Sequence, residues 1–165
     1  MSESVDSTFL QQINQNLGIA HKICLGYFQD AEDRADAFQE MMYQLWRSYE
    51  SFQGDAKFST WMYRVCLNTA MTYKRKSRKN TFDALSDRHD QMPASPSVNN
   101  EEELGLLFKA IATLSPVNKA VVLLYLEDLS YEEIAGITGL SKSNVSVKMF
   151  RIKKELEVLL KKMMN

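Results

Sequence analysis

Between Ser130 and Leu156 the chain spells out two helices and the turn between them, SYEEIAGITGLSKSNVSVKMFRIKKEL. Ser130 and Glu133 have the S-x-x-E spacing of a capping box, which sets a helix start there. Ile134, Ala135 and Ile137 supply its short apolar pattern. Gly139 falls where that helix must stop, because glycine takes positive φ at little cost. Ser141 is placed to cap a second helix whose inner stripe is Val145, Met149, Ile152 and Leu156. That stripe leaves Ser143, Asn144, Ser146, Val147, Lys148 and Arg151 mostly outward. Short polar groups at the front of a helix, with cations further along, suit entry into a DNA major groove. The competing reading is an ordinary helical hairpin with a solvated Lys/Arg face, and the rest of the chain has to decide between them.

A length of 165 residues fits one or two small domains, and 45% hydrophobic content supports folded cores. The net charge of −1 argues against a globally basic nucleic-acid binder, but the average hides segregation. Lys74, Arg75, Lys76, Arg78 and Lys79 form one cationic cluster. Lys142, Lys148, Arg151, Lys153, Lys154, Lys161 and Lys162 form another, while acids gather at 30–36 and 101–103. A phosphate responds to such local patches within a Debye length of ~10 Å rather than to the total. Cys24 and Cys66 both sit on apolar helix faces and read as buried small hydrophobes in a reducing compartment. The start of the chain carries no charged-then-apolar signal pattern, and no apolar run reaches membrane-spanning length. The expectation is a soluble, cytoplasmic protein without a membrane span.

Helical periodicity runs through the whole chain. Phe9, Ile13, Leu17, Ala20, Cys24 and Tyr27 predict a first helix over 8–29, weakened by Gly18. After a break near Asp30, a second helix over 31–52 carries Ala35, Phe38, Met42, Leu45, Trp46 and Tyr49 as its apolar stripe. Phe52 to Phe58, with Gly54 and Asp55, reads as a turn. A third helix over 59–79 repeats Trp61, Met62, Val65, Cys66, Thr69 and Tyr73, with Arg64 and Asn68 elsewhere on its surface. Its basic end complements a helix dipole, and it also exceeds what capping needs, which favours phosphate binding. Residues 80–100 hold Pro93, Pro96 and many polar residues without periodicity, the composition of a flexible linker. Leu104, Leu107, Phe108, Ile111 and Leu114 make a fourth helix. Ser115 and Pro116 begin a fifth, striped by Val117, Ala120, Val121, Leu124 and Tyr125.

The predicted fold is therefore all-α: two small helical domains joined by a flexible linker. An N-terminal helical bundle spans 8–79, the linker 80–100, and a four-helix domain containing the helix-turn-helix spans 101–163. Catalysis finds no support. His21 and His89 are isolated, so a zinc site is not expected, and no Gly-rich phosphate loop or nucleophile elbow occurs. No metal, no cofactor and no enzymatic activity are expected.

Taken together, the parts resemble the sigma factors of bacterial RNA polymerase, in the sigma-70 family's small extracytoplasmic-function (ECF) class. AEDRADAFQEMMYQLWRSYESFQGDAKFSTWMYRVCLNTAMTYKRKSRK resembles the class's core-binding and promoter-melting domain. LSPVNKAVVLLYLEDLSYEEIAGITGLSKSNVSVKMFRIKKEL resembles its helix-turn-helix domain. The resemblance implies that Asp33, Asp36, Phe38, Gln39, Met42 and Trp46 dock on the coiled coil of the largest polymerase subunit. It implies that the loop containing Phe52, Asp55, Lys57 and Phe58 captures a flipped base of the melted minus-10 element, with Asn68 lining the base pocket. Trp61, Arg64, Tyr73, Arg75 and Arg78 would lie beside the opened strand, Trp61 fitting core packing equally well. Ser143, Asn144, Ser146, Val147, Lys148, Arg151 and Lys154 would meet the minus-35 duplex.

The sequence also departs from the family's commoner pattern: Ser146 stands where Lys or Arg is frequent, Ile152 where Ala is frequent, and Phe150 is bulky for an outward position. The implied partners are the polymerase core, including its largest-subunit coiled coil and its flap, promoter DNA both duplex and melted, and a candidate anti-sigma factor. The rival reading is a helix-turn-helix regulator with a helical sensing or dimerisation domain, to which the third helix is surplus.

Overall fold

The computed structural model describes residues 2–80 and 99–165, with side chains from 7–73 and 101–165. Among these, every regular element is helical. In chain order they are α1 (Ser2–Gln15), α2 (Leu17–Tyr27), α3 (Ala31–Ser48), α4 (Phe58–Asn80), α5 (Asn99–Ala112), α6 (Pro116–Leu126), α7 (Tyr131–Thr138) and α8 (Lys142–Met164). The segment expected to link two domains lies outside the described residues over 81–98.

The helix expected over 8–29 is instead two, broken at Asn16, while Gly18 lies inside the second. Asn16 has φ −122° and ψ 15°. Its side-chain amide donates to the Gln12 carbonyl (2.8 Å) while its backbone N–H turns to the Ile13 carbonyl (3.0 Å). Asparagine competes in this way with the backbone ladder, and the chain pivots there.

Asp30 caps α3, accepting from the Glu32 N–H at 3.0 Å. The buried line of α3 is Ala37, Met41 and Leu45, flanked by half-buried Phe38, Met42 and Tyr49. This corrects the expected stripe: Ala35 and Trp46 face outward. The two candidate stripes lie about 100° apart, one residue's rotation, and both are rich in apolar side chains. A short 3-10 turn, Tyr49–Ser51, then leads to Gly54 at φ 76°, where the turn needs a residue without Cβ.

The C-terminal half follows its local signals closely. Ser115 caps α6 with Pro116 in its first turn. Ser130 and Glu133 form the complete capping box, the hydroxyl accepting from the Glu133 N–H and the carboxylate from the Ser130 N–H, each at 3.1 Å. These bonds hold the Glu133 carboxyl below its ordinary pKa. Gly139 ends α7 at φ 81°, and Ser141 caps α8 by accepting from the Asn144 N–H at 3.1 Å. Val145, Met149, Ile152 and Leu156 are all buried, as the stripe predicts.

The largest surprise is α6. Val117 and Tyr125, placed on the expected stripe, are partly exposed at 41% and 36%. Lys119, Val122 and Leu123 are buried instead, together with the expected Ala120, Val121 and Leu124. A helix apolar nearly all round is covered on both sides. Here α7 and α8 cover one side and α2 the other. At the α2 crossing Gly26 faces Leu123 so closely that an added Cβ would stand 2.8 Å from Leu123 Cδ1. Helices α1–α4 and α5–α8 thus meet through α2 against α5 and α6, and α4 against α7.

Candidate nucleic-acid interface

Three outward surfaces collect the residues singled out by sequence. The first is α8. Its buried line fixes the rotation of the helix, so Ser143, Asn144, Ser146, Val147, Arg151 and Lys154 all project outward. Lys148 is half-buried and leans toward the start of α6, its ammonium 3.5 Å from Asn118 Oδ1. Ile152 is fully buried, so its departure from the commoner family pattern concerns core packing. Phe150 is 61% exposed, with the Lys154 ammonium 4.3 Å from its ring centroid. The face is therefore short hydroxyl and amide groups at the front, an apolar pair in the middle, and Arg151 and Lys154 behind. Such a face can pair with base edges and phosphates in a groove.

The second surface is α4 with the loop before it. Phe52, Phe58 and Trp61 form one aromatic cluster with Tyr49: the Trp61 centroid lies 5.2 Å from Phe52, 5.4 Å from Phe58 and 6.1 Å from Tyr49. Phe58 is buried, Phe52 and Trp61 are half-buried, and Asp55 and Lys57 are exposed. Trp61 thus packs and keeps an open side. Asn68 is exposed and lines a cleft of about 360 Å³ with Glu40, Gln44, Thr69, Thr72 and Tyr73. The loop residues Phe52, Asp55, Lys57 and Phe58 are not among that lining, so the pocket expected from loop plus Asn68 appears as two neighbouring features. Seven residues of helix, about 10 Å, separate Trp61 from Asn68.

Tyr73 packs edge-on against Phe28 at 5.5 Å, and its pKa is raised by burial and then by the carboxylates Asp36, Asp33 and Glu40. It therefore joins the C-terminal part of α4 to the acidic edge of α3. The side chains of Arg75 and Arg78 lie outside the described residues.

The third surface is the outer edge of α3. Asp36, Gln39 and Trp46 are exposed, and Asp33 is half-buried. Phe38 and Met42 turn inward, Phe38 stacking on His21 at 4.5 Å. Tyr43, 54% exposed, sits between Gln39 and Trp46 on the same edge and was missed by the sequence reading. Glu40 and Gln44, joined by a 2.9 Å hydrogen bond, were missed as walls of the cleft. The spacing from Gln39 to Tyr43 to Trp46 carries that signal once the inner line is centred on Ala37, Met41 and Leu45.

Cys24 and Cys66 are buried, and burial pushes their thiols up to about 11 and about 12. Among the described residues no group of three His, Cys, Asp or Glu is arranged to hold a metal ion, and no helix is long and apolar enough to cross a membrane.

These surfaces coincide with recognised family segments. The family model for sigma-70 region 2 matches residues 12–80, and that for sigma-70 region 4 matches residues 104–156. The ECF RNA polymerase sigma-E factor of Escherichia coli K12 is 30% identical over 83% of this chain and 80% of its own length. The chain belongs to the sigma-70 family, in its ECF class. The sigma-E factor of Haemophilus influenzae is likewise 30% identical, over 76% of this chain and 73% of its own.

Among solved structures, the sigma factor RpoE of Bartonella quintana, in complex with the anti-sigma factor NepR, superposes with a TM-score of 0.79. It is 20% identical, over 93% of this chain and 97% of its own. CnrH, in complex with the cytosolic domain of CnrY, gives 0.69 at 19% identity, over 94% of this chain and 89% of its own. As a sigma factor, the chain binds RNA polymerase and directs promoter-specific initiation of transcription. The reading as a stand-alone helix-turn-helix regulator gives way, because region 2 accounts for the N-terminal half that such a regulator leaves unexplained.

Proposed function

We propose that the three surfaces divide the work of initiation. The outward face of α8 holds the minus-35 duplex: Ser143, Asn144, Val147 and Arg151 reach base edges, while Lys154 and Lys148 reach phosphates. Helix α4 and its preceding loop hold the non-template strand of the melted minus-10 element. One base enters at Asn68, and Arg64, Arg75 and Arg78 follow the backbone. Melting is costly, and capture of an extruded base offsets part of that cost. The outer edge of α3 docks on the coiled coil of the largest polymerase subunit, Tyr43 and Trp46 as apolar anchors beside Asp36 and Gln39. The C-terminal half meets the polymerase flap, and the segment over 80–100 lets the two domains, 8–79 and 101–163, reach sites apart on the promoter.

The factor performs no chemistry of its own and works in the cytoplasm with the polymerase. An anti-sigma factor is a fitting partner, since RpoE of Bartonella quintana and CnrH were each solved with an inhibitor or a binding partner's cytosolic domain.

The observation that carries this reading is the pairing of an exposed α8 face with a separate cleft at Asn68, one fit for a groove and the other for a single base. Two substitutions test it. Arg151→Ala is expected to weaken duplex binding by ~1–3 kcal/mol if Arg151 reads a base, or to lower the salt slope by ~1 if it meets phosphate. Asn68→Ala is expected to leave duplex binding intact and slow open-complex formation, removing about 1 kcal/mol of base-edge pairing. Titrations at two salt concentrations, with permanganate reactivity for strand opening, separate them. Equal loss of both properties in both variants would refute the division.

A further inference from the structure

We propose that Val147 and Phe150 form an apolar reader that selects the minus-35 duplex by the C5-methyl groups of neighbouring thymines. This rests on the reading of α8 as the duplex-holding helix.

The rotation of α8 fixes where the pair stands. Its buried line, Val145, Met149, Ile152 and Leu156, steps by four, three and four residues. The same steps begun two residues earlier give Ser143, Val147, Phe150 and Lys154. At about 100° per residue, two residues turn the helix by about 200°, so this second line is the crest opposite the core. A groove that admits α8 meets the crest at its floor. Val147 is 48% exposed and Phe150 61%, in the middle of that crest. Three residues apart, their side chains are neighbours displaced ~4.5 Å along the helix, against ~3.4 Å between stacked base pairs. One apolar patch therefore spans two adjacent base pairs.

Both side chains are held ready for contact. A helical valine keeps essentially one χ1 rotamer, so it has little freedom to lose on binding. The Lys154 ammonium, 4.3 Å from the Phe150 ring centroid, holds the ring from one side while most of the residue stays open. A patch without donors or acceptors favours a methyl group, and in the major groove thymine alone among the four bases presents one. Cytosine at the same place would turn its N4 amine toward apolar side chains and leave that donor unpaired. The surroundings fit the rest of the duplex. Ser143, Asn144, Arg151 and Lys154 lie within a turn of the pair, and α8 carries no acid before Glu155. An apolar centre with cations behind it and no carboxylate is complementary to a thymine step flanked by phosphates.

The test uses the full chain assembled on purified RNA polymerase core. Duplexes retained from a random-sequence pool are sequenced, and the block whose retention falls with Arg151→Ala marks the segment under α8. That block is synthesised twice, once with thymine and once with deoxyuridine, which pairs in the same way and lacks only the C5-methyl group. The expected result is adjacent T·A pairs at a fixed place in the block, and about tenfold weaker binding of the uracil form, from roughly three- to fourfold per methyl lost. Val147→Ser combined with Phe150→Ser, both on the exposed crest, should bind the two forms alike. Equal binding of both forms by the native chain, with Arg151→Ala still weakening each, overturns the methyl reading and leaves α8 as the duplex-holding helix. A thymine preference that persists in the double variant overturns the assignment to this pair and points to duplex shape instead. If neither Arg151→Ala nor the double variant alters the retention of any block, the reading of α8 is overturned and the proposal falls with it.

Discussion

Ile152→Ala is expected to remove about 2–5 kcal/mol of stability, enough to leave much of the C-terminal half unfolded at moderate temperature. Ile152 is wholly buried on the inner line of α8, between Met149 and Leu156. Truncation loses the transfer energy of three carbons and leaves a cavity in the core where α8 packs on α5, α6 and α7. Because this line sets the rotation of α8, duplex binding should fall along with stability even though Ile152 touches no DNA. Denaturant titration followed by circular dichroism measures the first effect, and a duplex titration well below the midpoint the second. A loss under about 1 kcal/mol would mean that neighbouring side chains already fill the site, as they must in family members with Ala there.

Trp46→Ala is the second large effect, and it falls on binding. A half-exposed tryptophan flanked by Tyr43, Gln39 and Asp36 has the character of an interface anchor, and truncating such an anchor typically costs ~2–4 kcal/mol of affinity. Retention on the purified polymerase core should fall by one to three orders of magnitude, as ~1.4 kcal/mol is a factor of ten. Stability should fall less, because Trp46 is half-exposed and its ring contact within the chain is edge-on with Phe9 at 5.4 Å, a geometry worth about 0.5–1.5 kcal/mol. Trp46→Phe should recover most of the affinity. If Trp46→Ala keeps full affinity for the core while losing stability, the residue is a staple for α1 and the docking edge lies elsewhere.

What the sequence made legible was whatever is decided locally. The capping box at Ser130 and Glu133, the left-handed Gly139, the Ser141 cap and the inner line of α8 all depend on residues within a turn or two of one another, and all were read correctly. The break at Asn16 was not foreseen within the helix expected over 8–29, because the apolar periodicity runs on through Asn16, whereas its side chain ended the first helix by offering its own amide to a carbonyl. On α3 the apolar residues outnumber the positions that can be buried, so two stripes one residue apart fit almost equally well. Contact with α2 and α4 chose the one through Met41 and hid Tyr43 from notice. On α6 the reading failed for a different reason. The burial of Lys119, Val122 and Leu123 depends on α2, some hundred positions earlier in the chain. No local pattern marks a lysine that will sit over a distant tyrosine ring. The cleft at Asn68 shows the same limit, since Glu40 and Gln44 join it only through the packing of α3 on α4.

The central claim is that this chain gives a polymerase its choice of promoter by holding paired DNA with α8 and an opened strand with α4. The most direct measurement is transcription from fragmented genomic DNA by purified RNA polymerase core, with and without the chain, followed by mapping of transcript 5′ ends. The account predicts discrete start sites that appear only with the chain, share sequence blocks near minus 35 and minus 10, and weaken severalfold or more with Arg151→Ala or Asn68→Ala through poorer upstream binding and slower strand opening respectively. Start sites that are the same with and without the chain, or whose yield is unchanged by both substitutions, would contradict it.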